Sequence, residues 1–233
     1  MSILGYLLSG NELKKAKKLT LEARQEQGDK ADQLFQQAYD SFSTISESFS
    51  KYPDALYYWG FALLQQALTK PSEEASKVFE EAINKFSFCK TISPLHLGVA
   101  VDGGVALLGL AKSKQVALDD ELYVKAKESF ESAESIQHGS ASYNLACMYA
   151  MQNNGEACLK ALESARDHGL VPDEQDIVND DDLQNVKQLP WFSEYIKSLA
   201  EDEEEKENDE KEENIVNDEK DENIVNDEKE SKE

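Results

Sequence analysis

Residues 31–42 read ADQLFQQAYDSF, residues 75–86 read ASKVFEEAINKF and residues 119–130 read DDELYVKAKESF, each 44 positions after the last. Three positions carry the match: Phe35, Phe79 and Tyr123; Ala38, Ala82 and Ala126; Phe42, Phe86 and Phe130. Apolar residues recur at i, i+3 and i+7 in each stretch, and at i+4 in the first two, as in Phe35, Ala38, Tyr39 and Phe42, which places them on one helical stripe. The alanine admits a neighbouring helix closely, and the phenylalanine one turn on fills the next gap.

Working upstream, the same offset holds. GFALLQQALTK (60–70) overlays GVALLGLAKSK (104–114), and Ala16, Gly60 and Gly104 fall in register. So do Leu19, Leu63 and Leu107, then Ala23, Ala67 and Ala111. Each unit therefore reads as two helices. Gly28-Asp29, Pro71-Ser72 and Asp119-Asp120 break the pattern between helices, and Pro53 and Pro94 break it between units. A self-similar period of this length is the signature of an array of hairpins, each burying its apolar face on the next.

The residues at these positions resemble the tetratricopeptide repeat, W-x-x-L-G-x-x-Y followed by A-x-x-x-F and a proline. The second unit has Trp59, Gly60 and Leu63, then Ala82, Phe86 and Pro94. A fourth unit has Leu145, Ala146 and Tyr149, then Cys158, Leu162, Ala165 and Pro172 at the ordinary spacing. The family repeats about every 34 residues, so the first three units hold extra chain between their two signatures, in a longer hairpin or a wider turn. The resemblance, over residues 10–198, implies an all-α, antiparallel helix-hairpin solenoid (a tetratricopeptide superhelix) with units at about 10–53, 54–97, 98–139 and 140–170. Residues 180–192, DDDLQNVKQLPWF, resemble the terminal segment of many bacterial members, and 171–199 read as a cap covering the last exposed face.

Charge separates what remains. The chain carries a net −23, of which residues 201–233 supply −13, from 18 Asp/Glu and 5 Lys. A segment so poor in apolar side chains cannot offset its ordering entropy, so 200–233 are expected to be a disordered acidic tail. ENIVNDEK recurs in it at 213–220 and 222–229. Three readings of that repeat stand: a docking motif shown twice, a solubilising tail grown by duplication, or an autoinhibitory arm meeting Lys14 to Lys18. The overall sign argues against nucleic-acid and anionic-membrane partners. No apolar run reaches the ~18 residues of a membrane span. MSILGYLLSGNELKK lacks a basic residue ahead of its short apolar stretch and makes a poor signal peptide. A cytoplasmic location follows, and Cys89, Cys147 and Cys158 read as buried free thiols.

Sites for chemistry are not apparent. His96, His138 and His168 fall in different units, and only His138 has a carboxylate one turn back, Glu134. His168 sits near a helix C-terminus, where the dipole favours it. The acidic run from Asp173 to Asp182 lacks the glycine and the alternation of a calcium loop and reads as helix capping. Gly103-Gly104 lies inside a helix, and Gly98, Gly103, Gly104 and Gly109 read as permitting close packing. No metal, cofactor or catalytic residue is expected.

The family lines a concave face with its first helices. Carried onto this chain, the groove positions are Tyr57, Phe61 and Leu64; Val101, Val105 and Leu108; Tyr143, Cys147, Ala150 and Met151; and Leu13, Lys17, Thr20 and Leu21. The members that grip a terminal carboxylate use Lys, Asn and Arg there. Here only Lys17 is basic, which speaks against that ligand. So apolar a strip needs a cover: a partner's amphipathic helix or apolar peptide, or the chain's own ends, such as Ile3, Leu4, Tyr6, Leu7 and Leu8, or its final helix. The expected function is a protein-interaction scaffold or adaptor. The alternatives are a chaperone-like holder of an apolar segment of a secreted or assembling protein, and a non-catalytic subunit of an enzyme complex.

Overall fold

The computed structural model describes residues 3–45 and 50–201, with side chains from Ser9 onward. The described residues form helices joined by turns, with no strand among them. They divide into two compact units, with the boundary between Val171 and Pro172.

The first unit holds α1 (Ile3–Ala23), α2 (Gly28–Ser43), α3 (Tyr52–Ala67), α4 (Ser72–Ile92), α5 (Leu97–Ser113), α6 (Glu121–Ile136), α7 (Ser142–Met151) and α8 (Gly155–Asp167). Each packs mainly on its chain neighbours: α1 on α2, α3 on α4, α5 on α6 and α7 on α8 within hairpins, and α2 on α3, α4 on α5 and α6 on α7 between them. That succession is an all-α solenoid of helix pairs. The helices begin where the chain chemistry places them. Gly28 opens α2 at φ +59°, a left-handed conformation that costs glycine little. Pro71 precedes α4, and the Asp120 carboxylate caps α6 by accepting from the Leu122 N–H at 2.8 Å. Pro53 lies inside the first turn of α3 rather than ahead of it, a position where its missing N–H is no loss.

The extra chain of the long units lies in the helices. α3 and α4 run 16 and 21 residues, where α7 and α8 run 10 and 13. The hairpin is longer, while the α3–α4 connection spans only 68–71.

The register drawn from the sequence is the register of the core. Phe35, Phe79 and Tyr123, the alanines at 38, 82 and 126, and Phe42, Phe86 and Phe130 are all buried. Ala16 and Phe42 share the first unit's core. In the next two units glycine takes the place of Ala16. A methyl group on Gly60 would lie 2.8 Å from the Phe86 ring, and one on Gly104 would lie 2.5 Å from the Phe130 ring. Gly98 and Gly109 are held in the same way, against Tyr57 and Phe79, whereas Gly103 has only Phe86 near its Cβ position, at 3.8 Å.

The second unit contains α9 (Glu174–Asn179), a 3-10 turn (Asp181–Leu183) and α10 (190–201). Asp180 caps the 3-10 turn, accepting from the Asp182 N–H at 2.8 Å. Ile177, Leu183, Val186, Phe192, Tyr195 and Leu199 are buried. The ENIVNDEK repeats lie outside the described residues, as do the side chains of Ile3, Leu4, Tyr6, Leu7 and Leu8.

Candidate partner-binding face on the first helices

The groove positions assigned from sequence on α3, α5 and α7 divide by helical geometry. Tyr57 and Phe61 on α3, Val101 and Val105 on α5, and Tyr143 and Met151 on α7 are half-buried. Leu64, Leu108 and Cys147 are buried and offer no surface to a ligand. On α3 and α5 the residue seven positions after the first has rotated inward, so the open strip is shorter than the pattern implied. Ala150 is buried too.

The α3 end of the strip is aromatic. The Tyr57 and Phe61 rings lie 6.4 Å apart, and the Tyr57 ring is tilted over His96 at 4.5 Å. The Tyr57 hydroxyl donates to Asp102 Oδ2 at 2.8 Å, tying α3 to α5 across two units. Burial is the main cause that pushes the Asp102 carboxyl above its ordinary range, with the Tyr57 hydrogen bond and His96 pulling the other way. Burial also pushes the Tyr57 phenol up, with Asp102 adding to it.

At the α1 edge the strip ends in a small apolar notch of about 70 Å³, lined by Lys17, Thr20, Leu21, Tyr58 and Phe61. Leu21 is 56% exposed there. The Thr20 hydroxyl turns away and donates to the Ala16 carbonyl at 2.9 Å, leaving its methyl to the notch. Lys17 Nζ stands 3.8 Å from the centre of the Tyr58 ring, and the Arg24 guanidinium 5.9 Å from that of Phe61. The chemistry offered is an apolar shelf with cations at its border. Tyr58 escapes the sequence reading because the family positions point to Tyr57. The ring at 58 turns towards α1, which an i, i+4 pattern on α3 alone does not reveal.

Two of the histidines have structural partners. His96 caps α5, its Nδ1 accepting from the Val99 N–H at 3.2 Å. His168 ends α8, with Nδ1 2.8 Å from the Ser164 carbonyl. Glu134 serves the α6–α7 turn, accepting from the Gly139 N–H at 2.8 Å, the Ala141 N–H at 2.7 Å and the Ser142 hydroxyl at 3.2 Å. Cys89, Cys147 and Cys158 are buried and form no disulfide. Burial raises the Cys89 thiol to about 11, Asp54 assisting, and the Cys158 thiol to about 12. Among the described residues no helix is long and apolar enough to cross a membrane.

No family model, curated protein or solved structure matches this chain.

Proposed function

We propose that this chain is a tetratricopeptide-class scaffold, located in the cytoplasm, that holds a segment of a partner protein on the face formed by α1, α3, α5 and α7. The reading rests on one observation above the others: half-buried aromatic and aliphatic side chains recur on successive first helices. They are Tyr58 and Phe61 at the notch, beside the exposed Leu21, and then Tyr57, Val101, Val105 and Tyr143. Monomeric proteins seldom leave such a strip uncovered, and one that spans several hairpins fits an amphipathic helix or an extended apolar peptide. The 44-residue register, with a small residue sharing the core with a buried ring in each of the three long hairpins, supports the class. Three buried thiols favour a reducing compartment. The net charge of −23 disfavours nucleic acid as the partner.

The partner role is tested by affinity capture with the full chain and its Phe61→Glu and Val105→Glu variants. A carboxylate placed on the strip should lower capture at least tenfold while circular dichroism and melting stay near wild type. Equal capture by folded variants would remove this face from consideration.

A further inference from the structure

A second opening lies on the other helices, and the repeat register explains it. In the second unit, Trp59 of α3 sits between α2 and α4. Its ring lies 6.4 Å from Tyr39 and 6.3 Å from Phe42, with Lys85 Nζ 3.5 Å above it. Forty-four residues on, the position of Trp59 is held by Gly103. The partners move in step: Tyr39 becomes Ile83, Phe42 becomes Phe86 and Lys85 becomes Ser129. Gly103, Ile83, Phe86 and Ser129 all line one cavity of about 560 Å³, between α4 and α6 with α5 as its floor. The walls left when the tryptophan is absent have stayed apart.

Gly103 differs from its neighbours in a way that bears on this. Side chains at Gly60, Gly104 and Gly109 would collide with aromatic rings at 2.4 to 2.8 Å, so those glycines are demanded by packing. At Gly103 the nearest atoms to a new Cβ are Phe86 Cβ and Cδ2, at 3.8 and 4.0 Å, an ordinary contact. Nothing in the packing requires a glycine there; what the glycine does is leave room. The volume falls within the ~300–1,000 Å³ of ligand sites, and the floor is apolar. The charged lining residues are Lys90 and Lys125, Glu80 and Glu128; Glu80 pairs with Lys114 and Lys125 with Glu121, so no net charge is left to attract an ion and a neutral group fits.

We propose that this cleft binds the tryptophan side chain of a partner protein, which takes the place that Trp59 occupies one unit earlier. The occupant follows from the molecule itself: the filled version of the site holds an indole against the register equivalents of Ile83 and Phe86. The site is distinct from the first-helix face and does not depend on it.

The test uses the ¹⁵N-labelled full chain and the capped peptide Gly-Gly-Trp-Gly-Gly, with a Leu-centred peptide as control. Saturable shifts of the Gly103, Leu107 and Ser129 amides are expected with the Trp peptide, at least fivefold weaker with the Leu peptide. Gly103→Trp should fill the cleft from within, weaken peptide binding at least tenfold and raise the melting temperature. Gly103→Leu, a smaller filler, should also weaken it and guards against a misfolded tryptophan variant. Phe61→Glu should bind the peptide as wild type does, so that failure here and failure of the first-helix face are separable. Absent or unsaturable shifts in the wild type, equal binding of the Leu peptide, or full binding by folded Gly103→Leu would each overturn the proposal.

Discussion

Gly104 lies directly against the ring of Phe130: a methyl group there would stand 2.5 Å from Cε1 and 2.7 Å from Cδ1. Phe130 is fully buried and cannot swing aside. Gly104→Ala should therefore destabilise the chain by about 1–3 kcal/mol, the usual range for overpacking, despite alanine's better helix propensity. Phe130→Leu in the same chain should recover part of that loss. Gly103→Ala, one residue earlier, should be neutral or mildly stabilising, because its Cβ has space. Urea melts of the three variants beside the wild type check the contrast.

Asp102 gives the fold a pH dependence with a definite sign. Burial holds its carboxyl above the ordinary value of 3.8, so between that value and its raised one the folded chain binds more proton than the unfolded chain. Its contribution to stability accordingly falls as pH rises through that window. Asp102→Asn should remove this fall while keeping a partner for the Tyr57 hydroxyl. The readout is the difference in unfolding free energy between wild type and variant as pH rises from 3.8; it should shift in the variant's favour through the window and then level off.

The α6–α7 turn hangs on Glu134, whose carboxylate accepts from two backbone N–H groups and a hydroxyl. Glu134→Ala leaves those donors without their acceptor and should cost about 1–3 kcal/mol. Glu134→Gln keeps an acceptor and should lose less. Amide exchange at Gly139 and Ala141 should rise in both, more so in the alanine variant.

The thiols should be slow towards alkylation. Cys158 is fully buried and its thiol is pushed up to about 12; that of Cys89 is pushed to about 11, its S–H directed at the Pro53 carbonyl at 3.3 Å. Thiolate is the reactive species, so iodoacetamide at pH 8 should modify the native chain far more slowly than the urea-unfolded chain. Comparable rates in the two states would contradict the packing around these cysteines.

The core was the most legible part of the molecule, because a buried ring and a facing small residue must recur together. The triples at 35, 38 and 42 and their equivalents are read as easily from spacing as from coordinates. The open strip was less legible. Family positions select one side of each first helix, yet whether Leu64 or Leu108 reaches solvent depends on how far the next helix overlaps it, and a linear pattern carries no such information. Tyr58 joined the notch only because α1 brings Lys17 and Leu21 beside it. The exchange of Trp59 for Gly103 follows the 44-residue offset of the sequence, but its consequence needs the helices on either side.

The central claim, a partner held on the first-helix face, is tested most directly by photocrosslinking in cells. Benzoyl-phenylalanine is placed singly at Phe61, at Val105, and at Phe88, which lies 64% exposed on α4. One shared crosslinked partner is expected at positions 61 and 105, absent at 88 and lost from 105 when Phe61→Glu is added. Crosslinking at 88 alone, or retention at 105 in the presence of Phe61→Glu, would contradict it.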